Sequence, residues 1–261
     1  MDIKSRAITI GSVWPSKKHG KFEVVEYKNY NNVKIRFIKT GFKTVAQGCQ
    51  VRNGHVKDKL SPSVFGVGFI GEGIFSVRAN DRETDAYKTW RTILKACYSS
   101  RLTHKINPYV DCAVCDDWHN FQNFAEWFYE NHPKDGRKYT LDKNIKSLGS
   151  KVYCPENCIF VTSNVYRFVI RIEKTKGQLP VGVSVESRNG RFQSFCGDPD
   201  TNKSTRLGYF DTPYSAHMAW RNKKYEYAIE LANQQEREEV KIALLNWAQA
   251  LKEFRIHPID D

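Results

Sequence analysis

The chain has 261 residues, with 41 Lys and Arg against 29 Asp and Glu, a formal net charge of +12 at pH 7. Hydrophobic residues make up 40% and aromatics 13%, enough to build packed cores, which excludes wholesale disorder. No run of about 18 apolar residues occurs, Met1 to Arg6 lack the pattern of a signal peptide, and seven cysteines are an odd number, so the expectation is a cytoplasmic protein with reduced thiols.

Residues 1–78 read as a basic β-rich module. Phe22 to Tyr27 and Val33 to Ile38 alternate apolar and polar residues, with turns at Asn29–Asn32, Lys39–Gly41 and Arg52–His55. Glycines cluster at Gly66, Gly68, Gly71 and Gly73, and the expected form is a small β-barrel or curled sheet closing on itself. Residues 1–80 hold 14 basic and 5 acidic residues, 81–175 hold 15 and 12, and 176–261 hold 12 of each, so most of the excess charge lies in the first third. Such a concentrated basic field attracts a polyanion through counterion release. Lys34 and Arg36 share one strand face and are the expected phosphate contacts there; the plain alternative is a solvated face.

Residues 79–172 form the expected central module. A helix over 79–98 places Ala86, Trp90, Ile93 and Leu94 on one side, with Asp81 or Thr84 as cap. A second helix begins near Asn120, and Trp118, Phe121, Phe124, Trp127 and Phe128 form a stripe that belongs to a core. Leu141 to Val161 then read as strand, turn and strand, followed by a short helix from Thr162: a ββα unit with flanking helices. A polar linker occupies 171–179.

The third module spans 180–261. Strand-like runs at 181–187, 191–197 and 204–210 are followed by a helix capped by Thr212 with Pro213 in its first turn, and a last amphipathic helix covers about 235–251. Asn189-Gly190 marks a hairpin turn. The whole is α+β.

The motifs Trp90, Cys97-Tyr98, Asp117 to Phe124, Leu141-Asp142-Lys143 and Tyr153 to Val161 resemble those of HNH homing endonucleases of phages. Gly182-Val183, Gly190-Arg191-Phe192, Leu207 to Thr212 and the Ala216–Ala219 helix resemble the apetala/ethylene-response-factor DNA-binding domain, and Val64 to Gly71 is similar to a segment that accompanies this HNH arrangement. The resemblance implies a phage-encoded protein in a bacterial host cell and double-stranded DNA as partner. It implies Asp142 as ligand of Mg²⁺ or a similar divalent ion, and Asn157 as the residue tying the two strands together. Lys143 stands where a general-base His is expected, and Tyr166 where the helix ligand is expected. Lysine is a poor base near pH 7 but a good phosphate contact. An impaired nuclease centre on a retained DNA-binding scaffold is therefore expected; His119 or His132 is a candidate replacement base from outside the motif, but neither has the expected spacing, which favours a surface or structural histidine for each. In the C-terminal module the resemblance places Arg188, Arg191, Gln193 and Arg206 toward DNA, where Arg reads guanine and Gln reads adenine.

Cys112-x-x-Cys115 and Cys154-x-x-x-Cys158 also admit a structural zinc, set against packing as ordinary buried thiols. Three functions stay open on sequence alone: a DNA binder with a degenerate centre, an active HNH endonuclease or nickase, and a factor recruited for protein contact in the virion, host takeover or defence.

Overall fold

The computed structural model describes residues 7–99, 111–172, 179–188 and 190–255. The first six residues, most of the expected linker at 171–179 and Asn189 of the expected hairpin turn lie outside them. The chain divides into two units, Met1–Asn107 with Val114–Glu130, and Pro108–Ala113 with Asn131–Asp261. The break expected after residue 78 falls inside the first unit. The expected central module is shared between the two: its flanking helices belong to the first, its strands to the second. Among the described residues the fold is α+β, with six α-helices and several small sheets, and no helix is long and apolar enough to cross a membrane.

In the first unit β1 (Val13–Ser16), β2 (Gly20–Asn29), β3 (Asn32–Phe37) and β4 (Lys43–Ala46) form an antiparallel meander in that order. Alternation works as expected: Val33, Ile35 and Phe37 are buried while Lys34 and Arg36 are exposed. The expected closed barrel does not form; the sheet stays open, with β1 and β4 as its edges. Its apolar face, led by Trp14, Phe22, Ile35 and Phe37, is covered by Val51 of α1 (Gly48–Asn53) and by Val56. A helix turn and a short segment thus remove that face from water without a closing strand pair. Gly54 ends α1 at φ +65, and its carbonyl accepts from Lys17 N at 2.9 Å.

The glycine cluster answers to a different neighbour. Residues 64–73 run along the next helices, with Phe69 exchanging backbone bonds with His119 and Phe121 at 2.9 Å each. A Cβ at Gly68 would strike Leu94 and Trp90, and one at Gly73 would strike Gln122. Gly68, Gly71 (against Asn120) and Gly73 serve close approach to these neighbours rather than closure of a barrel, while a Cβ at Gly66, at φ +82, would meet nothing within 4 Å. A small hairpin follows, β5 (Arg78–Ala79) and β6 (Arg82–Glu83), turning through Asn80 and Asp81, both at positive φ. Then comes α2 (Asp85–Tyr98), capped by Thr84, whose hydroxyl accepts from Tyr87 N at 3.3 Å. Trp90 donates from its indole to the Trp118 carbonyl at 2.6 Å and packs on Phe121. On α3 (Phe121–Asn131) the aromatic stripe is core: Phe121 and Phe124 are fully buried, and Trp118 lies edge-on to Phe124.

The second unit takes up Ala113 of the short strand β7 (Ala113–Val114), whose N–H donates to Lys151 O at 2.9 Å. Strand β8 (Thr140–Asp142) pairs antiparallel with β10 (Ile159–Val161), matching Asp142 with Ile159, and β9 (Val152–Tyr153) lies in the connection. Helix α4 (Ser163–Ile172) follows and buries Val165, Phe168 and Val169. A second antiparallel sheet runs β11 (Val183–Val185), β12 (Phe192–Gly197), β13 (Ser204–Phe210). Helix α5 (Pro213–Asn233), capped by the Thr212 hydroxyl on Ser215 N at 3.1 Å, lies across it, and α6 (Glu238–Lys252) packs on α5.

One core joins these parts: Ile145, Val161, Phe168, Cys196, Trp220, Leu244 and Trp247 belong to a single cluster. Three buried bases on α5 stitch it at its edges, each bonded to a backbone carbonyl. His217 meets Val181 O at 2.8 Å, Arg221 donates to Leu251 O at 2.6 Å, and Lys224 donates to Phe168 O at 3.3 Å. Leu251 lies in the last turn of α6, where the negative end of the helix dipole favours a cation, whereas Phe168 lies in the middle of α4. Gly182, at φ +80, lets the chain pass so close to Trp220 that any Cβ would enter the indole. Gly182→Ala is therefore expected to destabilise by about 2–4 kcal/mol, combining overpacking with left-handed strain; urea unfolding checks it.

Candidate functional site

On the exposed face of the first sheet the two expected phosphate contacts are already engaged. Lys34 Nζ sits 2.6 Å from Glu26 Oε2, and Arg36 Nη2 sits 2.9 Å from Glu23 Oε2. The β2–β3 register brings these pairs opposite each other. Lys28 also reaches Glu26, at 3.7 Å. The pair with Lys34 holds the Glu26 carboxyl below the usual range. Exposed pairs of this kind contribute little to stability, yet they neutralise the charge that a phosphate would meet.

At the end of β8 the Asp142 carboxylate turns back onto its own chain. It is 4% exposed, and Oδ1 accepts from the N–H groups of Asn144 and Ile145, both at 2.8 Å. Burial raises its pKa above the ordinary carboxylate range, and the two backbone bonds oppose that only in part. Lys143, 5% exposed, donates to Asn144 Oδ1 at 2.8 Å and to Ser150 O at 2.6 Å, and lies over the Tyr153 ring. Asn157 accepts from Ser147 Oγ at 2.8 Å and donates to Ser150 Oγ at 3.0 Å and Val152 O at 3.2 Å. The three residues therefore converge on one loop, 143–152, and knit it. Asn144, which holds the Lys143 ammonium, was not singled out by sequence, because a polar residue in a turn carries no signature of its partner.

The remaining candidates are dispersed. Tyr166 packs against the core of the second unit. Asn164 accepts from Val165 N and donates to Asp200 Oδ1 at 2.9 Å. His132 stands edge-on to Phe160, and His119 belongs to the first unit beside Tyr98. Cys112 and Cys158 are buried, Cys115 and Cys154 half-buried, and burial followed by a bond to Glu156 pushes the Cys154 thiol up. Among the described residues no three His, Cys, Asp or Glu side chains are grouped to hold a metal. A divalent ion thus does not fit the donors present: one buried carboxylate committed to backbone N–H groups, with an ammonium on the next residue.

The second sheet has two unlike faces. Ser194 and Cys196 are fully buried toward the helix. On the other face Ser184, Gln193 and Tyr209 lie side by side across three strands, and Phe195 pairs with Arg206. Arg206 donates to the Tyr209 hydroxyl at 2.7 Å with its guanidinium 5.0 Å from the ring centroid. Arg191 reaches Tyr209 O and pairs with Asp211 at 3.2 Å, and Arg188 is exposed at the hairpin end. Tyr209 was missed by sequence because the ladder shifts register between Ser194 and Phe195, which puts residues 206 and 209, three apart, on the same face. No family model, characterised protein or solved structure matches this chain.

Proposed function

We propose that this chain is a duplex-DNA-binding protein of the HNH homing-endonuclease type with a degenerate nuclease centre, reading sequence through the outer face of β11–β13. The observation that carries the reading is that face. It presents Gln193 and Arg206 with Tyr209 between them, the helix covers the opposite side, and among the described residues no carboxylate lies within ion-pair distance of Arg206. Sheet readers of DNA place strands in the major groove, where Arg addresses guanine O6 and N7 and Gln addresses adenine N6 and N7. Stacking on Tyr209 pre-orders the Arg206 fork, so less entropy is lost on binding.

An active centre would require Mg²⁺ or a similar ion beside Asp142. The inward turn of that carboxylate and the engaged Lys143 favour binding without cleavage. Selection of bound duplexes from a random pool tests the reading. The wild-type chain enriches a defined site, and Arg206→Ala relaxes it at one or two positions by about 1–3 kcal/mol of discrimination. Enrichment of no sequence, or identical enrichment by both proteins, contradicts it.

A further inference from the structure

The excess charge of the first 80 residues needs a location beyond Lys34 and Arg36, since these two are paired with Glu26 and Glu23. It gathers instead at one end of that sheet. Residues 55–59 alternate exposed and buried: His55, Lys57 and Lys59 face solvent while Val56 and Asp58 turn inward. The β1–β2 turn adds exposed Lys17 and Lys18. The two segments are fastened together, by Lys17 N to Gly54 O at 2.9 Å and Ser16 Oγ to Val56 O at 2.8 Å. A Cβ at Gly54 would meet Pro15 O at 2.7 Å, so only glycine permits this contact. The result is a fixed row of cations and not a set of independent loop lysines.

Among the described residues no carboxylate forms an ion pair with these lysines. Asp58, the carboxylate within the segment, is 3% exposed and accepts from Thr40 Oγ1 at 2.6 Å and Leu60 N at 2.9 Å, so it stabilises the loop from inside. Lys17 Nζ instead lies 2.7 Å from His55 Nε2. Burial is the main cause that lowers the His19 pKa; Asp58 opposes it, and Lys18 and Lys57 are close enough to lower it further.

We infer that the cluster Lys17, Lys18, His55, Lys57 and Lys59 is the phosphate-backbone site of the first unit, gripping duplex DNA without regard to sequence. The inference rests on the DNA-binding reading above. It moves the backbone contacts from Lys34 and Arg36, each of which has an acidic partner, to the loop end, where phosphates would be those partners. Each neutralised phosphate adds about −0.9 to the slope of log K against log salt.

The test uses the full chain and a mixed-sequence duplex, with binding measured by fluorescence anisotropy between about 50 and 200 mM salt. The variant K17Q/K18Q/K57Q/K59Q changes only exposed side chains, and near-ultraviolet dichroism checks that its fold is kept. Its slope is expected to flatten by about 3–4, with affinity lost equally for all sequences, whereas K34Q/R36Q changes the slope by less than about 1. A quadruple variant with the wild-type slope overturns the placement while leaving DNA binding intact. A wild-type chain that binds no duplex at any salt overturns the DNA-binding reading itself, and this site with it.

Discussion

Trp247→Ala is expected to destabilise the second unit by about 3–5 kcal/mol, the range for removing a fully buried aromatic. Trp247 is 1% exposed, stands edge-on to Phe168 of α4 at 6.3 Å between centroids, and donates its indole N–H to Ile145 O at 3.1 Å. It therefore connects the last helix with the loop that carries Asp142 and Lys143, which makes α6 part of the core and not an appendage. Loss of the ring leaves a cavity and an unpaired buried carbonyl together. Differential scanning calorimetry should show the melting temperature falling by roughly 10–15 °C, while Leu245→Ala, on the exposed side of α6, stays within about 1 kcal/mol. A Trp247→Ala protein that melts within a degree of wild type contradicts the single-core description.

Asp142 offers the second large effect, and it separates a structural from a metal-binding carboxylate. Asp142→Ala strands the buried N–H groups of Asn144 and Ile145 and is expected to lose about 2–4 kcal/mol. Asp142→Asn keeps an oxygen for both bonds and removes a charge that burial disfavours. Because the folded pKa lies above the unfolded one, the folded chain holds the proton more tightly, and the ionised form lowers stability at every pH above the folded value. That loss fades as the pH falls toward the ordinary carboxylate range. Asp142→Asn should thus unfold at higher urea than wild type at pH 7–8, with the margin shrinking on acidification. A variant less stable than wild type at neutral pH would contradict this, as would a marked stabilisation of wild type, but not of the variant, by Mg²⁺.

Much of the fold was legible because burial is periodic. Val33, Ile35 and Phe37 against Lys34 and Arg36 announced a half-buried strand, and Thr212-Pro213 announced the start of α5. What was not legible depends on partners distant in sequence. Gly68, Gly71 and Gly73 looked like barrel closure because their neighbours, Trp90, Leu94, Asn120 and Gln122, lie 20 to 50 residues further on. The neutralisation of Lys34 and Arg36 depends on the β2–β3 register, which shifts at two irregularities. The site was legible in its residue types only: nothing in Leu-Asp-Lys says that the next two N–H groups fold back onto the aspartate. The loop cations escaped notice because Lys17 and Lys57 stand 40 positions apart and meet only through Gly54 and Ser16.

Incubation of supercoiled plasmid with the wild-type chain, in Mg²⁺ and then in Mn²⁺, tests binding without cleavage most directly. The expected result is a plasmid retarded at low salt, released as salt rises, and still fully supercoiled after the protein is removed. Nicked circles that disappear with Asp142→Asn, or a plasmid that is never retarded, would contradict it.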